Sequence, residues 1–292
     1  MDRVEILKTY KIYIGGAFPR TESGRYYTPL NSKGDPLGNL CLSSRKDVRN
    51  AVTAARKAFG SWSERSAFNR GQIIYRIAEM LEGRKEQFML ELQKQGSSKA
   101  EAEKEVILAI DRIVYYAGWC DKYNQVLSAV NPVSSAHFNF STYESMGVIG
   151  VLAPQDTSLI GLVSLLIPAI CSGNTAVLIA SEKLPLCAIT FAEVLNSSDV
   201  PGGVVNILTG TLDELAPGLA AHMDVNALIS ESLGSMEIET AKAAVDNLKR
   251  KFTYNADWSS EKSQGLYYIS DCLELKTTWH PIENIGGTTS SY

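Results

Sequence analysis

The sequence predicts an α/β protein: a doubly wound, Rossmann-like parallel sheet of about five strands, preceded by an N-terminal helical layer and flanked by antiparallel strands outside both. Three observations carry that expectation. From Val148 to Tyr254 short apolar runs alternate with helical patterns. Before them, apolar residues recur at the spacing of one helix face, and near Val133 and Leu273 the period switches to two.

In chain order, Tyr10 to Gly15 and Arg25 to Pro29 read as paired short strands beside the turns Gly15-Gly16 and Ser23-Gly24. Ser44 and Asp47 make a near capping box, after which Val48, Ala51, Val52, Ala55 and Phe59 share a helix face that Gly60 is expected to end. A second helix carries Ile73, Ile74, Ile77 and Leu81 up to Gly83. A longer one starts near Ala100, with Val106, Ile107, Ile110, Ile113 and Val114 on one side and the run Glu101, Glu103, Lys104, Glu105 as its solvated face. Phe138, Phe140 and Thr142 then alternate with polar neighbours in an extended strand.

Strands are expected at Val148 to Ala153, Thr175 to Ile179, Val204 to Thr209, Ala227 to Ile229 and Lys251 to Tyr254. Helices fall between them at Leu159 to Ser172, Pro185 to Asn196, Asp213 to His222 and Met236 to Leu248. Such alternation implies right-handed crossovers. No GxGxxG follows the first strand, so the common dinucleotide fingerprint is absent. Beyond Tyr254, Asn255 to Gln264 reads as a polar connector, Leu266 to Ile269 and Leu273 to Trp279 as strands, and Gly286 to Tyr292 as a disordered tail.

Lys plus Arg (28) against Asp plus Glu (32) gives a formal charge of -4, which provides no general attraction for nucleic acid or an anionic membrane. Met1 to Lys8 carries both signs of charge and does not read as a signal peptide. The apolar stretch Leu159 to Ile170 is broken by Gly161, Ser164 and Pro168 and is shorter than the ~20 residues of a membrane span. A cytoplasmic protein is expected. The 5 cysteines form no CxxC pair and read as reduced, buried thiols; the 3 histidines show no metal-ligand spacing.

Ala51 to Trp62 (AVTAARKAFGSW), Asn69-Arg70-Gly71, Gly147 to Val151 (GVIGV), Gly173 to Leu178 (GNTAVL), Pro201 to Gly210 (PGGVVNILTG), His222 to Val225 and Leu273 to Trp279 (LELKTTW) occur in this order. The combination, from about Tyr10 to Pro281, resembles the aldehyde dehydrogenase superfamily. In that family a catalytic domain with a nucleophilic cysteine lies between the fifth strand and the closing oligomerisation strand. Here only Asn255 to Gln264 stands in that place, whereas a domain needs ~50 residues. The resemblance is closest to the non-catalytic second unit of the two-unit family 16 enzymes.

The resemblance also assigns positions. The family's oxyanion-holding Asn aligns with Asp156, which when ionised has no donor to offer, and its general-base Glu aligns with Tyr254, a poor base at neutral pH. The Lys that meets the adenosine ribose aligns with Ile179, and the glycines that admit adenine align with Leu212 and Ala216. Glu182 matches a ribose contact and reads equally as a helix-start carboxylate. The pyrophosphate-facing Gly-Ser corresponds to Gly234-Ser235 or, ungapped, to Ser232-Leu233. Cys171 reads as a small buried residue, and Cys272 belongs to the closing strand, away from the nucleophile's place. No catalytic or metal-binding residue is therefore expected; the vestigial cofactor positions are Pro154, Glu182, Gly210 and Gly234, and no cofactor is expected beyond weak NAD binding.

These readings divide the chain into N-terminal strands and helical layer (1–132), oligomerisation flap strand (133–147), parallel-sheet part (148–254), connector (255–265), C-terminal oligomerisation strands (266–283) and tail (284–292). The implied function is that of a pseudoenzyme acting as an oligomerisation or interaction module, associating with itself or with an aldehyde dehydrogenase unit through Phe138, Phe140, Leu273, Leu275 and Trp279. The alternatives are an NAD(P)-dependent aldehyde dehydrogenase whose catalytic domain is supplied elsewhere and a vestigial dinucleotide sensor.

Overall fold

In the computed structural model, which describes residues 6–31 and 33–282, the chain opens with three short strands: β1 (Thr9–Tyr10), β2 (Tyr26–Tyr27) and β3 (Asn39–Cys41). β1 and β2 do not pair with each other as expected; each pairs with β3, in parallel and antiparallel sense respectively. Tyr13 bridges instead to Ile207, 194 residues on, a partner no local pattern could indicate. The expected tail lies outside the described residues.

The helical layer comprises α1 (Arg45–Ser63), α2 (Ala67–Glu82), α3 (Lys85–Lys94), α4 (Lys99–Ala117) and the short α5 (Tyr123–Leu127). Asp47 accepts from the Ser44 backbone N–H at 2.8 Å, so α1 starts where the capping box places it. It does not stop at Gly60. Trp62, wholly buried, donates its indole N–H to the Ile170 carbonyl at 3.1 Å and draws the helix on by one turn. α3 escaped the pattern reading because Glu91 sits among its buried residues Phe88, Met89 and Leu92; its carboxylate accepts from Tyr10 at 2.9 Å and Thr190 at 2.7 Å. On α4 the buried stripe is Val106, Ala109, Ile110, Ile113 and Tyr116, whereas Ile107 and Val114 face outward.

β4 (Ala129–Asn131) and β5 (His137–Ser145) lead into the parallel sheet: β6 (Val148–Leu152), α6 (Ile160–Cys171), β7 (Thr175–Ile179), α7 (Leu186–Asn196), β8 (Val205–Leu208), α8 (Leu212–Ala221), β9 (Ala227–Glu231), α9 (Met236–Val245) and β10 (Arg250–Tyr254). The strand order is β10-β9-β6-β7-β8, all parallel, as the alternation predicts. Along β6, Ile149 and Val151 enter a core shared with α6 and α7, while Val148 and Leu152 enter a second core under α1 and α8. Both faces are covered at β6 and β7, which is why these two strands read as unbroken apolar runs, whereas the edge strand β10 does not. α6, buried along its whole length, is the longest apolar helix, and no described helix is long and apolar enough to cross a membrane.

The described residues close with α10 (Tyr267–Ser270) and β11 (Leu273–Pro281). The strand expected at Leu266 to Ile269 is thus a helical turn: Ile269 is buried, but its neighbours hydrogen-bond locally, with Ser270 N–H donating to the Leu266 carbonyl at 2.8 Å. β11 pairs antiparallel with β5 from Leu273↔Ser145 to Pro281↔His137, giving a sheet of order β11-β5-β4.

Candidate functional site

In a doubly wound sheet ligands lie beyond the C-terminal ends of the strands, where the strand order reverses. Here the reversal falls between β6 and β9. The candidate residues all follow strand ends on that edge: Pro154 and Asp156 after β6, Glu182 after β7, Gly210 after β8 and Gly234 after β9. Gly210 has φ +156°, and a Cβ there would meet Leu215 Cδ1 at 2.9 Å, so the tight return into α8 requires glycine. Gly234, at φ +56°, is exposed with nothing near its missing Cβ.

A bound dinucleotide would need free backbone N–H groups at a helix N-terminus on this edge. Side chains of the chain itself engage backbone N–H groups at the starts of α6, α7 and α8 and in the turn before α9. Glu105 of α4 accepts from the N–H groups of Leu159 and Ile160 at 2.9 and 3.1 Å, at the start of α6. Gln95 accepts from Leu186 N–H at 3.1 Å at the start of α7. Glu182 accepts from Leu212 N–H at 3.0 Å at the start of α8, while its own N–H donates to Gln155 at 2.8 Å. Glu237 accepts from Leu233 N–H at 3.2 Å just before α9. Glu182 thus does the work of a helix-start carboxylate. Glu105 corrects the reading of its run as solvated surface: a residue counted on helical spacing alone proves to be a long-range cap.

The rest of the edge is equally filled. Ile179 is wholly buried in the core under α8, with Val177, Leu208, Leu215 and Ala216, and Leu212 packs against the same cluster. At the reversal point Asp156 and Glu231 lie close enough that Glu231 holds its proton above the usual carboxylate range, through burial first and repulsion from Asp156 second. Negative charge gathered at this pair would oppose a pyrophosphate. These residues do not fit a bound dinucleotide.

Tyr254, at the end of β10, donates its hydroxyl to Asp271 at 2.7 Å and packs edge-on to Trp258 and Tyr268. Burial, with Cys272 and Asp271 nearby, pushes its phenol well above the ordinary value, so it is a hydrogen-bond donor and no base. The connector is not merely polar linker. Trp258 is 2% exposed, and the wholly buried Arg112 of α4 donates to the Ser260 carbonyl at 2.9 Å and to Ser164 at 2.6 Å. Trp258 amid Ser, Asp and Lys was the one signal in the sequence that this stretch returns to the core.

Cys272 lies immediately before β11 rather than on it, buried beneath Tyr268, and its thiol is raised by burial; Cys171 is buried at the end of α6. All five cysteines are free and buried. Among the described residues no cluster of His, Cys, Asp or Glu could hold a metal ion.

On the flap sheet, Leu275 and Trp279 are 54% and 57% exposed on one face, while Leu273 is buried at its base. The register puts Phe138 and Phe140 opposite His280 and Thr278, and so on the other face, with Val130 beside Phe140. The residues expected to mediate association therefore lie on two faces of one sheet. The second opens as a groove of about 310 Å³ lined by Val130, Phe138 and Phe140.

The sequence pattern described as "Aldehyde dehydrogenase family" matches residues 19–252. "Aldehyde dehydrogenase, cytosolic 1" of Elephantulus edwardii is 31% identical over 250 residues, which cover 82% of this chain and 49% of that protein. "Cytosolic 10-formyltetrahydrofolate dehydrogenase" of Mus musculus is 32% identical over 228 residues, 75% of this chain and 25% of that protein. The structure "NAD+ complex structure of aldehyde dehydrogenase from bacillus cereus" superposes with a TM-score of 0.80 at 25% identity, over 84% of this chain and 50% of that one. The chain spans about half the length of such relatives, or less. Sequence pattern, full-length relatives and sheet topology agree: the chain belongs to the aldehyde dehydrogenase family.

Proposed function

We propose that this chain is an aldehyde dehydrogenase-like pseudoenzyme, akin to the non-catalytic second unit of the two-unit family 16 proteins, that serves as an oligomerisation module for itself or for an active aldehyde dehydrogenase unit. One contrast carries the reading. Glu105, Gln95, Glu182 and Glu237 each accept from a backbone N–H along the edge where a dinucleotide would bind, whereas the flap has an unbroken nine-residue pairing between β5 and β11. β11 is an edge strand, and its outer backbone groups beside Leu275 and Trp279 suit strand addition by a partner. Burying such side chains is worth ~1.5 to 3 kcal/mol each.

Leu275→Asp with Trp279→Asp places two charges in that surface and should dissociate the assembly while leaving the parallel sheet folded. Light scattering read beside circular dichroism tests it. A wild-type chain that stays monomeric at high concentration, alone and mixed with an active aldehyde dehydrogenase, would overturn the proposal.

A further inference from the structure

Two thiols meet beneath the flap. Cys120, in the turn after α4, and Cys171, the last residue of α6, are buried with their Sγ atoms 3.3 Å apart, although 51 residues separate them. Both sulfurs face the Tyr116 carbonyl, at 3.6 and 3.4 Å, and the Arg70 guanidinium donates to the Cys171 carbonyl at 3.4 Å. The following residues anchor the flap. The Ser172 carbonyl accepts from Ser145 at the end of β5 at 2.7 Å, and Asn174 donates to the carbonyl of Cys272, just before β11, at 2.7 Å.

We propose that Cys120 and Cys171 form an oxidation-sensitive dithiol that a peroxide closes to a reversible disulfide, tying the end of α4 to the end of α6 at the base of the flap. A disulfide needs the sulfurs at ~2.05 Å, and two thiols already in contact at the ends of their helices can reach that with small local movements. Access exists from one side. A groove of about 510 Å³ between α2 and α4, lined by Phe68, Gly71, Tyr75 and Val114 among others, reaches Cys120. At Gly71 a Cβ would stand 3.5 Å from that of Cys120 and 3.0 Å from the Ala117 carbonyl, so glycine leaves the approach open. Hydrogen peroxide, small and uncharged, suits such an entrance.

In the reaction, Cys120 loses its proton to water and its thiolate attacks one peroxide oxygen; the S–O bond forms, the O–O bond breaks, and hydroxide leaves to become water. The Cys171 sulfur then attacks the sulfenic sulfur; the S–S bond forms, the S–O bond breaks, and the departing hydroxide takes the Cys171 proton. Two thiols and one peroxide give a disulfide and two waters. Burial, reinforced by the Cys120 contact, holds the Cys171 thiol well above its ordinary range, consistent with its being the second, resolving partner. In a reducing compartment such a bond is transient. The proposal does not depend on the flap's role in association.

The full chain is treated with hydrogen peroxide, quenched, unfolded and alkylated with N-ethylmaleimide. Alkylated cysteines should fall from five to three, and non-reducing peptide mapping should give one dithiothreitol-sensitive cross-link between the Cys120 and Cys171 peptides. Cys272→Ser should keep the cross-link and Cys120→Ser should lose it. The wild-type map requires no variant to fold. Five alkylated cysteines, a cross-link containing Cys272, or Cys120 oxidised to the sulfinic acid without cross-linking would each overturn the assignment.

Discussion

Ile179 stands where the family resemblance places a ribose-binding lysine. The resemblance suggests that a lysine there would restore a ribose contact; the packing says otherwise, because Ile179 is wholly buried against Leu208, Leu215 and Ala216. Ile179→Lys must bury an ammonium among apolar side chains, so it should cost about 3 kcal/mol of stability and yield no NAD binding. Urea unfolding and calorimetric titration of the variant check both. A second buried cation gives a pH signature. Lys249 donates to the His222 carbonyl and the Asn247 side-chain oxygen, both at 2.9 Å, and burial lowers its pKa to about 8 from an ordinary 10.5. Between those values the unfolded chain binds more protons than the folded one, so this group's contribution to stability rises with pH. Unfolding midpoints of wild type should therefore gain on those of Lys249→Met from pH 8 to 10. The buried tyrosines, such as Tyr13 at about 12, oppose the trend equally in both proteins, and a constant difference would refute the assignment.

Elements are held to one another by single polar residues whose importance no periodicity reveals. Asn174 accepts from Gly147 N–H at 2.8 Å at the start of β6 and donates to the Cys272 carbonyl at 2.7 Å ahead of β11, while standing at the start of β7. It is wholly buried. Asn174→Ala would strand both partners, and at 1–3 kcal/mol for each buried unsatisfied group the loss should be roughly 2 to 4 kcal/mol, read from chemical denaturation. Hydrogen exchange should quicken in β11 before it does in β8, since only the former hangs on this residue. Helix periodicity and the Ser44 capping box located α1 and α2 from local sequence, because those signals lie within a few residues. It could not place α3, whose Glu91 is buried by Tyr10 and Thr190, or the turn α10, whose few apolar residues fit either period.

For the molecule as a whole, the ligand edge and the flap lie on separate sheets and can be tested separately. No NADH should form from propanal above buffer background, and NAD affinity should be weaker than ~1 mM, because Glu105, Gln95 and Glu182 already occupy N–H groups at the starts of α6, α7 and α8 and Glu237 one in the turn before α9. Micromolar affinity by calorimetry would show that these side chains give way to the ligand. Turnover lost on mutating one cysteine would mean that a buried thiol reaches substrate. Either result leaves the association test on Leu275 and Trp279 intact.

By itself the sequence determined the inner strands of the parallel core, since residues buried on both sheet faces must be apolar without interruption, and it located β5 and β11 of the flap through their period of two, though not β4. Its resemblance to the family singled out Asp156, Ile179, Leu212, Ala216 and Tyr254. What only the tertiary structure decided is which distant partners the side chains meet. Glu105 closes α6 from 54 residues away, Tyr254 is spent on Asp271, Arg112 holds the connector at Ser260, and Cys120 meets Cys171 across two helices. A side chain's partner is set by where the backbone brings distant segments, and period and propensity carry no record of that distance.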